Sequence, residues 1–273
     1  MKEIINKANQ YKHSSMRYIQ EKDLYESNIL VNNESILIIG TIEKDTMKID
    51  WATNNPILFI ETMRPLEKDL VSNTNIKHLS IEFIPEEIIN LFEQNNYIIK
   101  SEWMDYWKPT LEYNVIPHNL VIRPIEEKEY VIGSYITKSC KGYSRGYNGE
   151  EIEWFKEWKD NELSEIFVAE QNNQIVGVCA VNLYGFDSEK GTVLWLREVA
   201  VHPEFHSQKI GLHLISHAFD WGVKNGAQRS FLACDRDNTK AIRLYEYLGY
   251  ETKHNRGQIN IEKTINLFTH NNY

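Results

Sequence analysis

Two stretches of this chain can be laid over one another. Leu79–Tyr97, LSIEFIPEEIINLFEQNNY, lies without a gap over Leu232–Tyr250, LACDRDNTKAIRLYEYLGY. Leu91 meets Leu244, a separation of 153 residues, and the same separation joins Leu79 to Leu232, Ile89 to Ile242, Glu93 to Glu246 and Tyr97 to Tyr250. Asn96 falls under Gly249, and these are the two residue types that most readily stop a helix in left-handed geometry. Upstream, NILVNNESILIIGTI and TMKIDWAT echo a hairpin and a following strand in the second half. A repeat of this length constrains the fold more than local propensity does. It predicts two copies of one fold, joined near Lys108–Asn119, with domains at 1–118 and 119–273; a chain of 273 residues suits that count. The plainer alternative is that any strand–helix–strand unit resembles any other.

The second half has the clearer pattern. LVIRPI reads as a strand, KGYSRGYNGEE as a glycine- and tyrosine-rich turn, and EEIEWFKEW as a short aromatic helix. EIFVAEQNNQIVGVCAV is a hairpin about a polar turn, and GTVLWLREVAV a further strand. Ile210, Leu214, Ile215, Ala218 and Phe219 recur at helical spacing. RSFLACD, NTKAIRLYEYLG and INIEKTINLF then read as strand, helix and strand. Helices alternating with strands after an antiparallel hairpin predict an α/β domain with a mixed sheet.

Composition narrows the function classes. With 42% hydrophobic and 25% charged residues the chain can form a sizeable core. A net charge of −9 leaves no basic surplus for nucleic acid, so none is expected as a partner. No run of about 18 apolar residues exists for a membrane, and the start has no apolar core behind its lysine, which reads as a cytoplasmic protein. The three cysteines, Cys140, Cys179 and Cys234, lack paired spacing and read as buried small hydrophobes. The nine histidines show no ligand spacing, so no metal is expected.

Chemistry concentrates in VHPEFHSQKIGLHLI, Val201–Ile215. A strand ending at Val201 and a helix beginning near Lys209 leave unpaired amides at a helix start, which carries about half a positive charge and suits an anion. With NTKAIRLYEYLGY behind it, EVAVHPEFHSQKIGLHLI resembles the GNAT superfamily of acyl-CoA-dependent N-acetyltransferases, well over about residues 120–265 and loosely over 28–105. The resemblance implies two tandem GNAT-like domains, each with a mixed, mainly antiparallel sheet flanked by helices. It implies a pyrophosphate loop, written [QR]-x-x-G-x-[GA] in the family, at His206, Ser207, Gln208, Lys209, Ile210 and Gly211, running into Leu212. Gly211 fits; His206 replaces Gln or Arg, and Lys209 replaces Gly. Lys209 is expected to enter the first helical turn without strain, its ammonium offered to a CoA phosphate.

The same resemblance places Asn238 against the pantetheine arm and Tyr245 near the CoA sulfur as general acid. It makes Glu198 the carboxylate that takes the amine proton, and the amides of Val199, Ala200 and Val201 the holders of the thioester and pantetheine. Asn238 equally suits a helix N-cap, Tyr245 a core aromatic, and Glu198 a structural ion pair. Strand alternation places Trp195, Arg197, Val199 and Val201 on one face and Leu196, Glu198 and Ala200 on the other. At the repeat separation Pro85 stands under Asn238 and Phe92 under Tyr245, and the loop before Pro56 has no glycine. The first half is therefore expected to be degenerate and without a CoA site.

An acceptor would lie near Tyr143, Tyr147, Glu150, Glu151, Trp154 and Trp158, residues that also suit a packed helix with an acidic rim; Trp103–Trp107 would close the site or fill a domain contact. The leading expectation is transfer of acetyl from acetyl-CoA to a small-molecule, amino-acid or peptide amine, by a monomer or homodimer. A non-catalytic acyl-CoA sensor and an acyl or aminoacyl transferase that needs no CoA loop are the alternatives.

Overall fold

The computed structural model describes residues 1–73, 76–114, 117–253 and 255–265. Part of the expected junction and the end of INIEKTINLF lie outside them. The described chain forms two compact units: Met1–Glu102 with the chain from Gln258 onward, and Trp103–Gly257.

The first unit contains α1 (Lys2–Ala8), β1 (His13–Ser14), β2 (Asn28–Asn32), β3 (Ile36–Glu43), β4 (Thr46–Thr53), α2 (Pro56–Asn73), β5 (His78–Ile81) and α3 (Ile89–Glu93), followed by the start of β6 (Ile98–Lys108). The second contains the rest of β6, then β7 (Val121–Pro124), α4 (Tyr130–Ser139), α5 (Ile152–Lys159), β8 (Ser164–Gln171), β9 (Gln174–Tyr184), β10 (Val193–Val201), α6 (Ile210–Lys224), β11 (Arg229–Asp235) and α7 (Thr239–Tyr247). The last strand, β12 (Gln258–Thr264), belongs to the first unit, where it pairs antiparallel with β5.

The repeat is a repeat of structure. In each copy two antiparallel pairs lead to a strand, a helix and one parallel partner: β2–β3–β4, α2 and β5 in the first, β8–β9–β10, α6 and β11 in the second. The strands of each copy are thus paired in a mixed and mainly antiparallel way. Asn96 and Gly249, which end the second helix of each copy, are both left-handed, at φ +63° and +85°. The hairpin between β8 and β9 turns through Asn172 and Asn173, left-handed at +52° and +62°, the geometry that a two-residue turn needs to match strand twist.

The units do not divide at 118 and 119. The strand after α3 runs on past Glu102, and its Trp103–Lys108 portion pairs with β11 in the second unit. The strand after α7 supplies Ile259 and Ile261 to the core of the first unit, around Trp51, Phe59 and Phe92. In each copy the parallel strand, β5 or β11, pairs along its other edge with the strand that follows the other copy's second helix. That exchange leaves no cut at the linker.

Two cores sandwich the second unit's sheet. Leu194, Leu196, Leu214, Ile215, Phe219 and Leu232 pack on the α6 face. Ile136, Phe155, Ile166, Val178 and Ala200 pack on the face of α4 and α5. Glycines let both helices sit close to their neighbours: a Cβ on Gly222 of α6 would lie 2.9 Å from the Leu194 side chain of β10, and one on Gly133 of α4 2.6 Å from the Phe155 ring of α5.

Candidate active site

The parallel strands β10 and β11 pair only from Val193 to Trp195, opposite Arg229 to Phe231. Beyond that point they part, and a cleft of about 950 Å³ opens in the second unit. Leu196–Val201 line one wall, Ala233 and Cys234 the other, and α7 contributes Asn238, Leu244 and Tyr245. A strand edge without a partner leaves amides and carbonyls that an extended, amide-bearing ligand can pair with.

A bulge re-aims β10 at this point. Leu196 faces Val181 while Glu198 faces Ala180, so Arg197 is the extra residue. The simple alternation expected from sequence fails here. Leu196 belongs to the α6 core, whereas Ala200 belongs to the α4/α5 core, and Val199 and Val201 have moved to the α6 side. Without the bulge Glu198 would share a face with Leu196. With it, Glu198 looks towards the cleft from the α4 side, 7% exposed.

Burial dominates the chemistry of Glu198. Desolvation pushes its carboxyl up to about 7; the Arg197 guanidinium opposes the rise, the Glu150 carboxylate adds to it, and Tyr147 lowers it. Arg197 is itself held by Glu150 at 3.1 Å and lies over the Trp154 ring at 5.6 Å. The structural ion pair is therefore made by Arg197 and Glu150, leaving Glu198 to the cleft. Glu150, also raised by burial, does not line the cleft, nor do Glu151, Trp154 and Trp158. Trp154 stacks on Trp158 at 5.1 Å and Trp158 donates to the Val181 carbonyl, so this helix is packed as structure. Of the expected acceptor group, Tyr143 and Tyr147 line the cleft.

The loop before α6 differs from expectation at Lys209. It does not enter the helical turn: it is the N-cap, left-handed at φ +60°, with Ser207 also left-handed at +64°. This geometry is why glycine is usual at this position, since a Cβ there costs about 1–2 kcal/mol. The backbone path survives the substitution. No side chain caps α6, so its first amides remain available, and Ile210, Gly211 and Leu212 line the cleft. The absent Cβ of Gly211 admits α7, since one built there would lie 3.3 Å from Leu244. His206 turns back, its Nε2 2.8 Å from the Val201 carbonyl, and its ring packs edge-on to Tyr143 at 5.0 Å. Ser207 and Lys209 line the cleft, but Gln208 does not; its amide oxygen accepts from Gln171.

On α7, Asn238 is the N-cap, its side-chain oxygen accepting from the Ala241 amide at 3.3 Å, and it also lines the cleft. Tyr245 is half-buried at the cleft wall; desolvation holds its phenol well above its usual range, with Cys234 and Glu198 adding to the rise. Cys179 and Cys234 are buried as expected, but Cys140 is not a core residue: it lines the cleft and its thiol donates to the Val201 carbonyl at 3.2 Å. Lys240 and Arg243 also face the cleft and give this acidic chain a local positive wall. Their i, i+3 spacing on one helix was the available signal. Trp103 lines the cleft as well, within the second unit.

Among the described residues the first copy differs at the matching positions. At the position of Tyr245, Phe92 is wholly buried among Phe59 and Tyr97. The Ile57 amide at the start of α2 is taken by the Asn55 side chain at 3.1 Å. Among the described residues no group of three or more His, Cys, Asp or Glu side chains is placed to hold a metal, and no helix is long and apolar enough to cross a membrane.

Comparison with known proteins agrees with this architecture. Residues 133–250 match the acetyltransferase (GNAT) family. An uncharacterized N-acetyltransferase of Methanocaldococcus jannaschii is 29% identical over 120 residues, 42% of this chain; the chain spans about half, 53%, of that relative. A GCN5-related N-acetyltransferase from Sphaerobacter thermophilus has a similar fold at TM-score 0.62 and 15% identity, covering 89% of this chain and 84% of that one. A tandem GNAT protein from the clavulanic acid biosynthesis pathway, at TM-score 0.58 and 10% identity, covers 92% of this chain and 86% of its own, so the likeness of fold extends over both units. The chain carries a GNAT acetyltransferase domain within a tandem GNAT-like fold.

Proposed function

We propose that this protein transfers an acetyl group directly from acetyl-CoA to a primary amine, with the second unit as the working copy. The observation that carries the reading is the cleft between the parted ends of β10 and β11, which brings Glu198, Tyr245 and the uncapped start of α6 to one volume. In this reading the amides of Ile210, Gly211 and Leu212, with the Lys209 ammonium, hold the pyrophosphate. The unpaired edge of β10 at Val199–Val201 and the Asn238 side chain hold the pantetheine arm.

Glu198 takes a proton from the acceptor ammonium; a carboxyl that titrates near 7 is matched to that task at neutral pH. The freed amine attacks the thioester carbon, and a β10 amide beyond the bulge steadies the oxyanion. Collapse breaks the carbon–sulfur bond. Tyr245, kept protonated by its burial, donates to the departing sulfur, and the second proton, which the nitrogen loses as the amide forms, restores the phenol.

A second reading is favoured by His206, which lines the cleft but whose Nε2 is engaged with the Val201 carbonyl: the unit binds acyl-CoA without turnover, as a sensor. The deciding measurement is thiol release from acetyl-CoA across a library of amines. Turnover is expected with at least one amine, and Tyr245→Phe is expected to lower kcat roughly 100-fold with acetyl-CoA affinity unchanged. Binding without release on any amine favours the sensor, and no binding at millimolar acetyl-CoA removes both.

A further inference from the structure

The segment Lys141–Gly149 forms a strap at the cleft. Its trailing end is tied to α4: the Glu150 amide donates to Thr137 Oγ1 at 2.9 Å, and Ser134 donates to the Glu150 carbonyl at 2.7 Å. Gly149 permits the close approach, since a Cβ there would lie 2.5 Å from the Lys138 backbone. The middle is tied to another wall. Arg145 Nε lies 3.0 Å from wholly buried Asp235 at the end of β11, and its Nη1 lies 3.0 Å from Asp237, just before α7. Gly142, Gly146 and Gly149, all left-handed, leave the strap few conformational preferences of its own, so these tethers decide where it rests.

Two residues beyond Arg145, the Tyr147 hydroxyl is buried and completes no hydrogen bond of ordinary geometry. An unpaired buried hydroxyl is costly unless a partner is within reach. Tyr147 and Glu198 line the same cleft, and the Glu198 carboxylate is the charged group that acts on this hydroxyl most strongly. The other groups bearing on Glu198 are Arg197 on its own strand, Glu150 ahead of α5, Cys140 at the end of α4, Cys179 on β9 and Tyr245 on α7. Arg197 is shared with Glu150, so it is not a dedicated partner.

We propose that Arg145 and Tyr147 are positioning residues for Glu198: the Arg145 ion pairs hold the strap in place, and the Tyr147 hydroxyl so placed donates to the ionised carboxylate and orients it. The inference rests on Glu198 being the proton acceptor for its catalytic meaning, but not for its test. Only the ionised carboxylate gains from the donor, so removing the donor raises the titration midpoint of Glu198.

The test is an infrared titration of the full-length protein, following the protonated carboxyl band of Glu198, assigned as the band missing from Glu198→Gln. Tyr147→Phe is expected to raise the midpoint by about one pH unit. Arg145→Met, which does not touch Glu198, is expected to raise it likewise, and Arg145→Lys to restore most of the original value. An unmoved midpoint in Tyr147→Phe overturns the proposal; a shift in Tyr147→Phe with none in Arg145→Met overturns the role of Arg145. Failure of the catalytic reading shows separately, as an acid limb of the kcat/KM profile that persists in Glu198→Gln.

Discussion

Glu198 carries opposite costs for the folded state and for chemistry. Its folded midpoint near 7 lies above the ordinary carboxylate value of 4.5, so between those limits the folded chain binds the extra proton. The sign follows from linkage: stability falls as pH rises from 4.5 through 7, and the full penalty of burying the charge is present above 7. Glu198→Gln keeps the shape and removes the charge. The variant is expected to be more stable than the parent at pH 8, by up to about 3 kcal/mol, with the gain vanishing as pH falls below 4.5. Urea midpoints across that range measure it, and a gain that does not depend on pH would mean that Glu198 is not the group titrating.

At the scale of the element, the start of α6 shows how a substituted motif keeps its geometry. Lys209 occupies a left-handed position that glycine takes without cost, and the loop accepts the strain because β10 and α6 are both anchored in the core around Leu194, Leu214 and Phe219. Lys209→Gly is therefore expected to stabilise the protein by about 1 kcal/mol, visible as a raised urea midpoint. The same variant removes an ammonium from the cleft wall and is expected to weaken acetyl-CoA binding in calorimetry. Equal affinity would assign the pyrophosphate grip to backbone amides alone.

At the scale of the molecule, the exchanged strands set what can stand alone. A fragment beginning at residue 119 lacks Trp103–Lys108, which pair with β11, and contains a final strand whose partner β5 is missing. That fragment is expected to expose apolar surface and aggregate. A chain ending at Gly257 is expected to lose protection against hydrogen exchange in β4 and β5, because Ile259 and Ile261 leave the core and burying two such side chains is worth about 3–6 kcal/mol. Unchanged protection in β5 would argue that β12 adds little to that sheet.

The sequence by itself determined the repeat, the order of strands and helices in each copy, the loop at the head of α6 and the unlike side chains of the copies at matching positions. These depend on local periodicity, turn residues and a fixed separation, which a linear pattern records. That Asn238 could cap α7, and that Phe92 stands where the other copy has Tyr245, were legible for that reason. Tertiary structure alone decided the rest. One extra residue in β10 turns Glu198 from the α6 core to the cleft, and period-two reading has no means of seeing a bulge that a partner strand defines. The exchange of β6 and β12 depends on which edge each strand finds, a long-range pairing with no local signature. Arg145 and Tyr147 acquire a role only because three permissive glycines let distant carboxylates choose where their loop rests.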